Sequence, residues 1–277
     1  MRYWLVMPAA GVGRRFGENK PKQYADLHGR TVIEWSLAPF LYDSRCAGVV
    51  VVIGANDPHW QDVAARLPDV TVASTATEVD VAAALAEVNL AAERADVRAA
   101  GSSGEEAAAV KLPQVITAHG GGERSQSVRN GLTALKALAR PDDWVLVHDA
   151  ARPCVTRADI DRLLDKAHAH AIGGLLAAPA ADTLKRAGAD REIIETVDRS
   201  SLWRALTPQM FRYARLCEAL DNALGAGRLP TDEAQAMEWM GQHPLVVEGS
   251  TTNIKITNAD DLIIAVALLG DDTGVRN

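Results

Sequence analysis

The first residues with chemical potential lie near the N-terminus, in the run Pro8-Ala9-Ala10-Gly11-Val12-Gly13-Arg14-Arg15-Phe16-Gly17. Small residues let a backbone approach a ligand closely, and several N–H groups can then point at phosphate oxygens. Arg14, Arg15, Lys20 and Lys22 place four cations within nine residues. That density suits a triphosphate better than a nicotinamide or a flavin. The run is not a Walker A loop, because no Lys-Ser or Lys-Thr follows the glycines. Nor is it a full dinucleotide fingerprint: Gly11 and Gly13 fit GxGxxG, but position 16 is Phe. Pro21 precedes Lys22 and restricts the direction of the chain there. An ammonium group aimed at a reacting phosphorus would stabilise charge that grows in the transition state.

Further along, Gly120-Gly121-Gly122 precedes Ser127 by about one helical turn. Asp149 follows the apolar run WVLV by two residues, with Arg152 three positions on. A carboxylate there can orient a substrate hydroxyl or sit near a divalent cation. His148 reads as a packed histidine rather than a base or ligand.

These residues need elements to position them. Tyr3–Met7, Val49–Ile53, Val115–Ala118, Trp144–Val147 and Gly174–Ala178 are short apolar runs, too continuous for one-sided antiparallel strands. Helical spacing recurs between them at Thr31–Leu41, Asp57–Leu67, Glu123–Leu138 and Thr156–Ala169. The alternation predicts an α/β, Rossmann-like fold, with a mainly parallel sheet covered by helices on both faces. Carboxyl ends of such strands are where ligands bind, and both the glycine loop and Asp149 fall there. The rhythm then changes. Asp182–Val197 reads as a β-hairpin turning at Ala187-Gly188-Ala189-Asp190, within a protruding β-arm at about 180–202. Helices are expected at Phe211–Leu224 and Thr231–Met240, late strands at Leu245–Val247 and Asn253–Ile256, and a last helix capped by Asn258. The Ala- and Glu-rich stretch at about 75–109 looks foreign to this rhythm and reads as an insertion into a single domain spanning 1–277.

Composition narrows the function classes. The net charge of the 277 residues is −7, which argues against a nonspecific nucleic-acid binder. Cys46, Cys154 and Cys217 are scattered without CxxC spacing, so a disulfide framework or structural zinc is not expected. Three lone thiols fit a reducing cytoplasm. The N-terminal apolar stretch is too short for a signal peptide, and no run reaches the length needed to span a bilayer. Neither membrane nor nucleic acid is an expected partner.

Several segments, in order, carry a resemblance: PAAGVGRRFG and PKQY, GGGERSQSV (120–128), VLVHDAARP (145–153), APAADTLKR (178–186), TVDRSSLWRALTPQ (196–209), TDEA (231–234) and VVEGSTTNIKIT (246–257). Together they resemble the 2-C-methyl-D-erythritol 4-phosphate cytidylyltransferases, within the wider sugar-nucleotide pyrophosphorylase-like family. The resemblance implies an enzyme joining CTP to that polyol phosphate with release of pyrophosphate, in non-mevalonate isoprenoid synthesis. It also implies Mg²⁺ held mainly by the nucleotide's phosphates, and a homodimer formed through the arm. It assigns CTP binding to Ala9, Ala10, Gly11, Gly13, Arg15, Lys22, Gly121, Gly122, Ser127 and Ala150. Arg15 and Lys22 would stabilise the charge at the α-phosphate. Asp149, Arg152, Thr183, Arg199, Thr207, Thr231 and Lys255 would hold the sugar phosphate, with Arg199 and Lys255 also counted among the catalytic residues. Thr183 and Arg199 would reach the neighbouring subunit's site. Many relatives carry a polar residue where this chain has Gly122, which leaves discrimination of cytosine from uracil open. Two other readings stay in view: a cytidylyltransferase for another polyol phosphate, such as ribitol 5-phosphate, and a noncatalytic nucleotide-binding module.

Overall fold

The computed structural model describes residues 1–11, 20–67, 72–74 and 113–270. Gly13 and Arg15 of the glycine loop, and the 75–109 stretch, lie outside the described residues.

The first apolar run forms β1 (Tyr3–Pro8). A minimal hairpin follows, β2 (Asp26–Leu27) and β3 (Arg30–Thr31). Helix α1 (Val32–Leu41) begins where the Glu34 carboxylate accepts from both the N–H and the hydroxyl of Thr31. Then come β4 (Cys46–Ile53), the short α2 (Trp60–Ala64), β5 (Val72–Ser74) and β6 (Gln114–His119). Next are α3 (Arg124–Ala134), β7 (Trp144–Val147), α4 (Arg157–His168) and β8 (Gly173–Pro179). The hairpin of β9 (Leu184–Ala187) and β10 (Ile193–Val197) leads into β11 (Trp203–Arg212). The chain continues through α5 (Tyr213–Gly225), α6 (Glu233–Glu238), β12 (Leu245–Glu248) and α7 (Ala259–Gly270).

Eight strands form one sheet in the order β12-β8-β11-β7-β1-β4-β6-β5. Every neighbouring pair is parallel except the two that involve β11. The expected α/β class and mainly parallel sheet are therefore observed. Side-chain alternation along β1 builds a core on each face. Tyr3, Leu5 and Met7 pack with Ile33, Leu37 and Phe40 of α1 and with Ile160 and Leu163 of α4. Val6 faces the other way, toward Val128 and Leu132 of α3 and Leu216 and Leu220 of α5.

Three readings of the sequence are corrected. Residues 203–212 form a ten-residue strand between β8 and β7, where only a helix from Phe211 had been expected. The run Trp203-Arg204-Ala205-Leu206-Thr207-Pro208 shows no apolar alternation, and a proline argues against a central strand. The ladder in fact breaks its register between Ala205 and Gln209, which accommodates Pro208. Asn253–Ile256 is not a strand: it crosses behind the Asp149 loop, tied by the Ile256 N–H to the Ala151 carbonyl at 2.8 Å. The helix expected over Asp57–Leu67 contracts to Trp60–Ala64. Asn258 does cap the last helix, accepting from the Asp261 N–H at 3.0 Å. The hairpin of β9 and β10 stands outside the main sheet, with Ile193 and Ile194 each 65 % exposed. No helix among the described residues is long and apolar enough to cross a membrane.

Gly131 sets how closely α3 approaches the sheet. A Cβ there would lie 2.7 Å from Val6 Cγ1 and 2.8 Å from Val52 Cγ2. Gly131→Ala in a helix interior would ordinarily stabilise. Here overpacking reverses the sign, and a loss of about 1–3 kcal/mol is expected. Chemical denaturation of the variant measures it, and an unchanged midpoint would contradict the close packing.

Candidate active site

Because β1, β4, β6 and β7 run parallel, their carboxyl ends share one edge of the sheet. The loops leaving β1, β6 and β7 meet there. Each continues the ladder by one bond before turning away: Ala9 N–H to Val52 O at 2.7 Å, Gly120 N–H to Ile53 O at 2.8 Å, and His148 N–H to Val6 O at 3.1 Å. The pocket between them is lined by Ala9, Ala10 and Gly11, by Gly121 and Gly122, and by Asp149 and Ala150. Lys22, Arg124, Ser127 and Lys255 complete its walls, with Gln23, Glu123 and Ala151 also at the rim.

Gln23 locks the first loop. Its amide donates to the carbonyls of Ala9 at 2.7 Å and Gly11 at 3.1 Å. Next to it, Tyr24 donates its hydroxyl to Asp57 at 2.7 Å. Lys22 is thus carried on a three-residue 3₁₀ turn fixed at two neighbouring side chains. On the second loop, Ser127 Oγ accepts from the Gly121 N–H and donates to the Glu123 carbonyl, both at 3.1 Å. The serine expected to read a base therefore also shapes the glycine turn. The N-terminus of α3 opens onto the pocket, closed by a capping box of Glu123 and Gln126.

Asp149 is 6 % exposed and meets three cations. Arg124 Nε lies 3.0 Å from Oδ1, Lys255 Nζ 2.8 Å from Oδ2 and Arg152 Nε 3.6 Å from Oδ2. Burial alone would raise this carboxyl. The three cations outweigh it and hold Asp149 far below the usual carboxylate range. His148 is fully buried, and burial pushes its imidazole down to about 4, so it is neutral at pH 7. Its Nε2 faces the Arg152 carbonyl at 3.2 Å and must carry the proton. Nδ1 then accepts from the Thr207 hydroxyl at 2.9 Å, and Thr207 Oγ1 accepts from the Asp149 N–H at 3.1 Å. His148 is a packed neutral strut, as the sequence suggested.

Of the residues expected to bind CTP, the pocket brings together Ala9, Ala10, Gly11, Lys22, Gly121, Gly122, Ser127 and Ala150. Asp149 and Lys255 join them from the sugar-phosphate set. Arg152 stands behind Asp149, 8 % exposed, donating to the Asn253 carbonyl at 2.7 Å. Thr207 is equally buried in the His148 chain of bonds. Thr231 is exposed before α6, and its N–H is bound to Gln235 at 2.8 Å. Thr183 and Arg199 are exposed on the arm and do not line this pocket. The Arg199 guanidinium donates to the Ala181 carbonyl.

Two residues of the Asp149 cluster escaped the sequence reading. Arg124 sits inside the GGGERSQSV segment but was not singled out. Glu233, in the TDEA segment, is 1 % exposed and grips Arg124 with both oxygens, at 2.7 and 3.2 Å. A signal existed: TDEA places two acids before an apolar turn, and only the first is needed as a cap. Asp232 takes that role, accepting from the Gln235 N–H at 2.9 Å.

No group of three or more His, Cys, Asp or Glu side chains could hold a metal among the described residues. Asp149 is already committed to three cations.

A pocket at the carboxyl edge of a mainly parallel α/β sheet, lined by Lys22, Lys255 and Arg124 beside glycine-rich loops, suits the chemistry of a nucleotidyltransferase. The family model for 2-C-methyl-D-erythritol 4-phosphate cytidylyltransferase matches residues 3–100 and 75–271. The enzyme of that name from Pseudomonas aeruginosa PAO1 is 45 % identical over 94 % of this chain and 93 % of its own length. That from Vibrio parahaemolyticus is 41 % identical over 97 % and 96 %. A crystal structure of 4-diphosphocytidyl-2C-methyl-D-erythritol synthase superposes with a TM-score of 0.71 at 32 % identity, covering 97 % of this chain and 99 % of the other. The Francisella tularensis cytidylyltransferase gives 0.66 at 29 %, covering 97 % and 100 %. The chain belongs to the 2-C-methyl-D-erythritol 4-phosphate cytidylyltransferase family.

Glycine spacing gives a sharp test of the pocket. A Cβ on Gly120 would lie 2.4 Å from Ala10 Cβ and 2.8 Å from Ser127 Oγ, whereas one on Gly122 would meet only Gln126 Oε1 at 3.5 Å. Gly120→Ala pries the first two loops apart and is expected to lower kcat/KM for nucleotide on the order of 10²-fold. Gly122→Ala is expected to stay within about twofold of the parent, since ordinary contact costs little. Steady-state kinetics of the two variants decide it, and equal effects would contradict this geometry.

Proposed function

We propose that the chain transfers the cytidylyl group of CTP to 2-C-methyl-D-erythritol 4-phosphate. The products are 4-diphosphocytidyl-2-C-methyl-D-erythritol and pyrophosphate, in non-mevalonate isoprenoid synthesis. The observation that carries the proposal is the convergence of Lys22, Arg124, Asp149 and Lys255 on one pocket at the loop edge, in a chain of this family.

The substrate phosphate is already anionic at neutral pH, so no general base is required. One of its oxygens attacks the α-phosphorus, the new P–O bond forms, and the bond to the pyrophosphate oxygen breaks with its electron pair. Positioning and charge neutralisation carry such a step. Lys22 stabilises charge growing on the α-phosphate and the leaving group, with Arg15 assigned beside it by the family pattern. Lys255 draws in the incoming phosphate, and Asp149 accepts from a polyol hydroxyl. The loops at 9–11 and 120–122 receive the nucleotide with backbone groups. A bound Mg²⁺ would neutralise triphosphate charge and fix its conformation.

Thr183 and Arg199 are exposed on the hairpin, as is its apolar tip at Ile193 and Ile194. This arrangement supports a homodimer in which the arm delivers both residues to the partner's site. The free thiols Cys46 and Cys154 are buried and Cys217 half-buried, in keeping with a reducing cytoplasm.

Pyrophosphate release should require Mg²⁺, CTP and methylerythritol phosphate together, and should fail with UTP, ATP or ribitol 5-phosphate. Lys22→Ala should lower kcat on the order of 10²–10³-fold, as loss of one electrostatic stabiliser does. Turnover with ribitol phosphate alone would move the substrate assignment. Near-normal turnover of Lys22→Ala would remove that residue's role.

A further inference from the structure

Arg124 joins two carboxylates of different standing. Its Nε meets Asp149 in the pocket wall at 3.0 Å. Its two terminal nitrogens fork onto Glu233, outside the pocket lining, at 2.7 and 3.2 Å. A fork of this kind fixes the plane and rotation of a guanidinium, which a single bond does not. Glu233 is itself immobilised from the sheet. Gln209, on the antiparallel strand β11, donates to Asp232 at 3.0 Å and accepts from the Ala234 N–H at 2.8 Å. These bonds clamp both sides of Glu233 at the start of α6. A rigid path therefore runs from β11 through α6 and Arg124 to the pocket carboxylate.

We propose that Glu233 and Arg124 form a positioning pair for the transfer reaction, Glu233 fixing the Arg124 guanidinium so that it orients the Asp149 carboxylate. The proposal rests on the reading of the pocket as a cytidylyl-transfer site. Neither residue is needed to contact the reacting phosphorus. Removing Arg124 leaves Asp149 with Lys255 and Arg152, both on Oδ2, and takes away the cation that holds Oδ1. Removing the charge of Glu233 leaves Arg124 paired with Asp149 but without its second anchor. The geometry also separates this role from plain stability. Breaking a buried ion pair on one side strands the other charge, whereas replacing both partners with neutral groups of similar size removes that penalty.

The test compares Arg124→Gln, Glu233→Gln and the double variant with the parent. Three readouts are needed: thermal midpoint, kcat with separate KM values for CTP and polyol phosphate, and the titration of a ¹³C-labelled Asp149 carboxyl by NMR. Both single variants should melt lower than the parent, and the double variant should recover most of that loss. Its kcat should nevertheless stay down, on the order of 10–10²-fold, the scale of a misplaced reacting group. Glu233→Gln keeps the pocket's cations, so its KM for CTP should change less than about twofold while kcat falls. In Arg124→Gln and the double variant the Asp149 carboxyl should titrate at higher pH than in the parent, and the acid limb of kcat/KM should follow it. Recovery of kcat together with the melting point in the double variant would overturn the proposal, because the pair would then serve stability alone. An unmoved Asp149 titration would overturn it as well. Should the parent itself release no pyrophosphate, the functional reading falls. The carboxyl titration, which needs no turnover, then still decides the positioning claim.

Discussion

The site depends on one buried anion. Asp149 sits almost fully buried at the edge where the pocket opens, and a carboxylate in that place is costly unless its charge is met. It would also repel any phosphate that approached. Three cations resolve both difficulties: Arg124, Lys255 and Arg152 lie within 2.8 to 3.6 Å of its oxygens. A single carboxylate thereby fixes the positions of several cations at once, and two of them, Arg124 and Lys255, line the pocket. Asp149 is the buried member of this cluster, while Lys255 and Arg124 are partly exposed, so the arrangement holds only while the elements that carry the cations are in register around it.

The three cations come from separate stretches of chain, and much of the fold serves to bring them together. Arg124 begins α3, which lies close to the sheet because Gly131 leaves room for Val6 and Val52. Arg152 leaves the loop after β7 and is held by the Asn253 carbonyl. Lys255 rides on the segment that Asn253 ties to the Thr207 carbonyl at 2.7 Å and Ile256 ties to Ala151. Strand β11 links all of these. Its Thr207 bonds the Asp149 N–H and the Asn253 amide, and its Gln209 clamps the turn that carries Glu233. The one antiparallel strand in the sheet thus lies beneath the anion site.

Much of this was legible in the residues. The parallel strands show as unbroken apolar runs, and the ends of those runs located the glycine loop, Gly121 and Gly122, and Asp149. Short-range chemistry was readable too, as with Asn258 capping the last helix. What escaped was long-range. Strand β11 carries arginines, a proline and no alternation, so its pairing is dictated by β7 and β8 rather than by its own pattern. The Arg124–Glu233 pair spans 109 positions, and nothing local marks two ordinary charged residues as partners. Asn253–Ile256 has the composition of a strand but finds its hydrogen-bond partners in loops. The resemblance to the cytidylyltransferases compensated for part of this, since it selected Lys255, Arg152 and Thr207 before any geometry tied them to Asp149. It did not separate residues that face the pocket from those that stand behind it.

The central claim is that Asp149 orients the site and its charge is not needed to bind nucleotide. Calorimetric titration of CTP into Asp149→Asn, paired with single-turnover transfer, tests it most directly. Removing the anion leaves Lys255 without its carboxylate and Arg124 with Glu233 as its one acidic partner, so the account predicts CTP binding as tight as in the parent or tighter. It predicts a transfer rate from the bound complex lower on the order of 10²-fold, the cost of lost orientation. Weakened CTP binding with an unchanged transfer rate would contradict it.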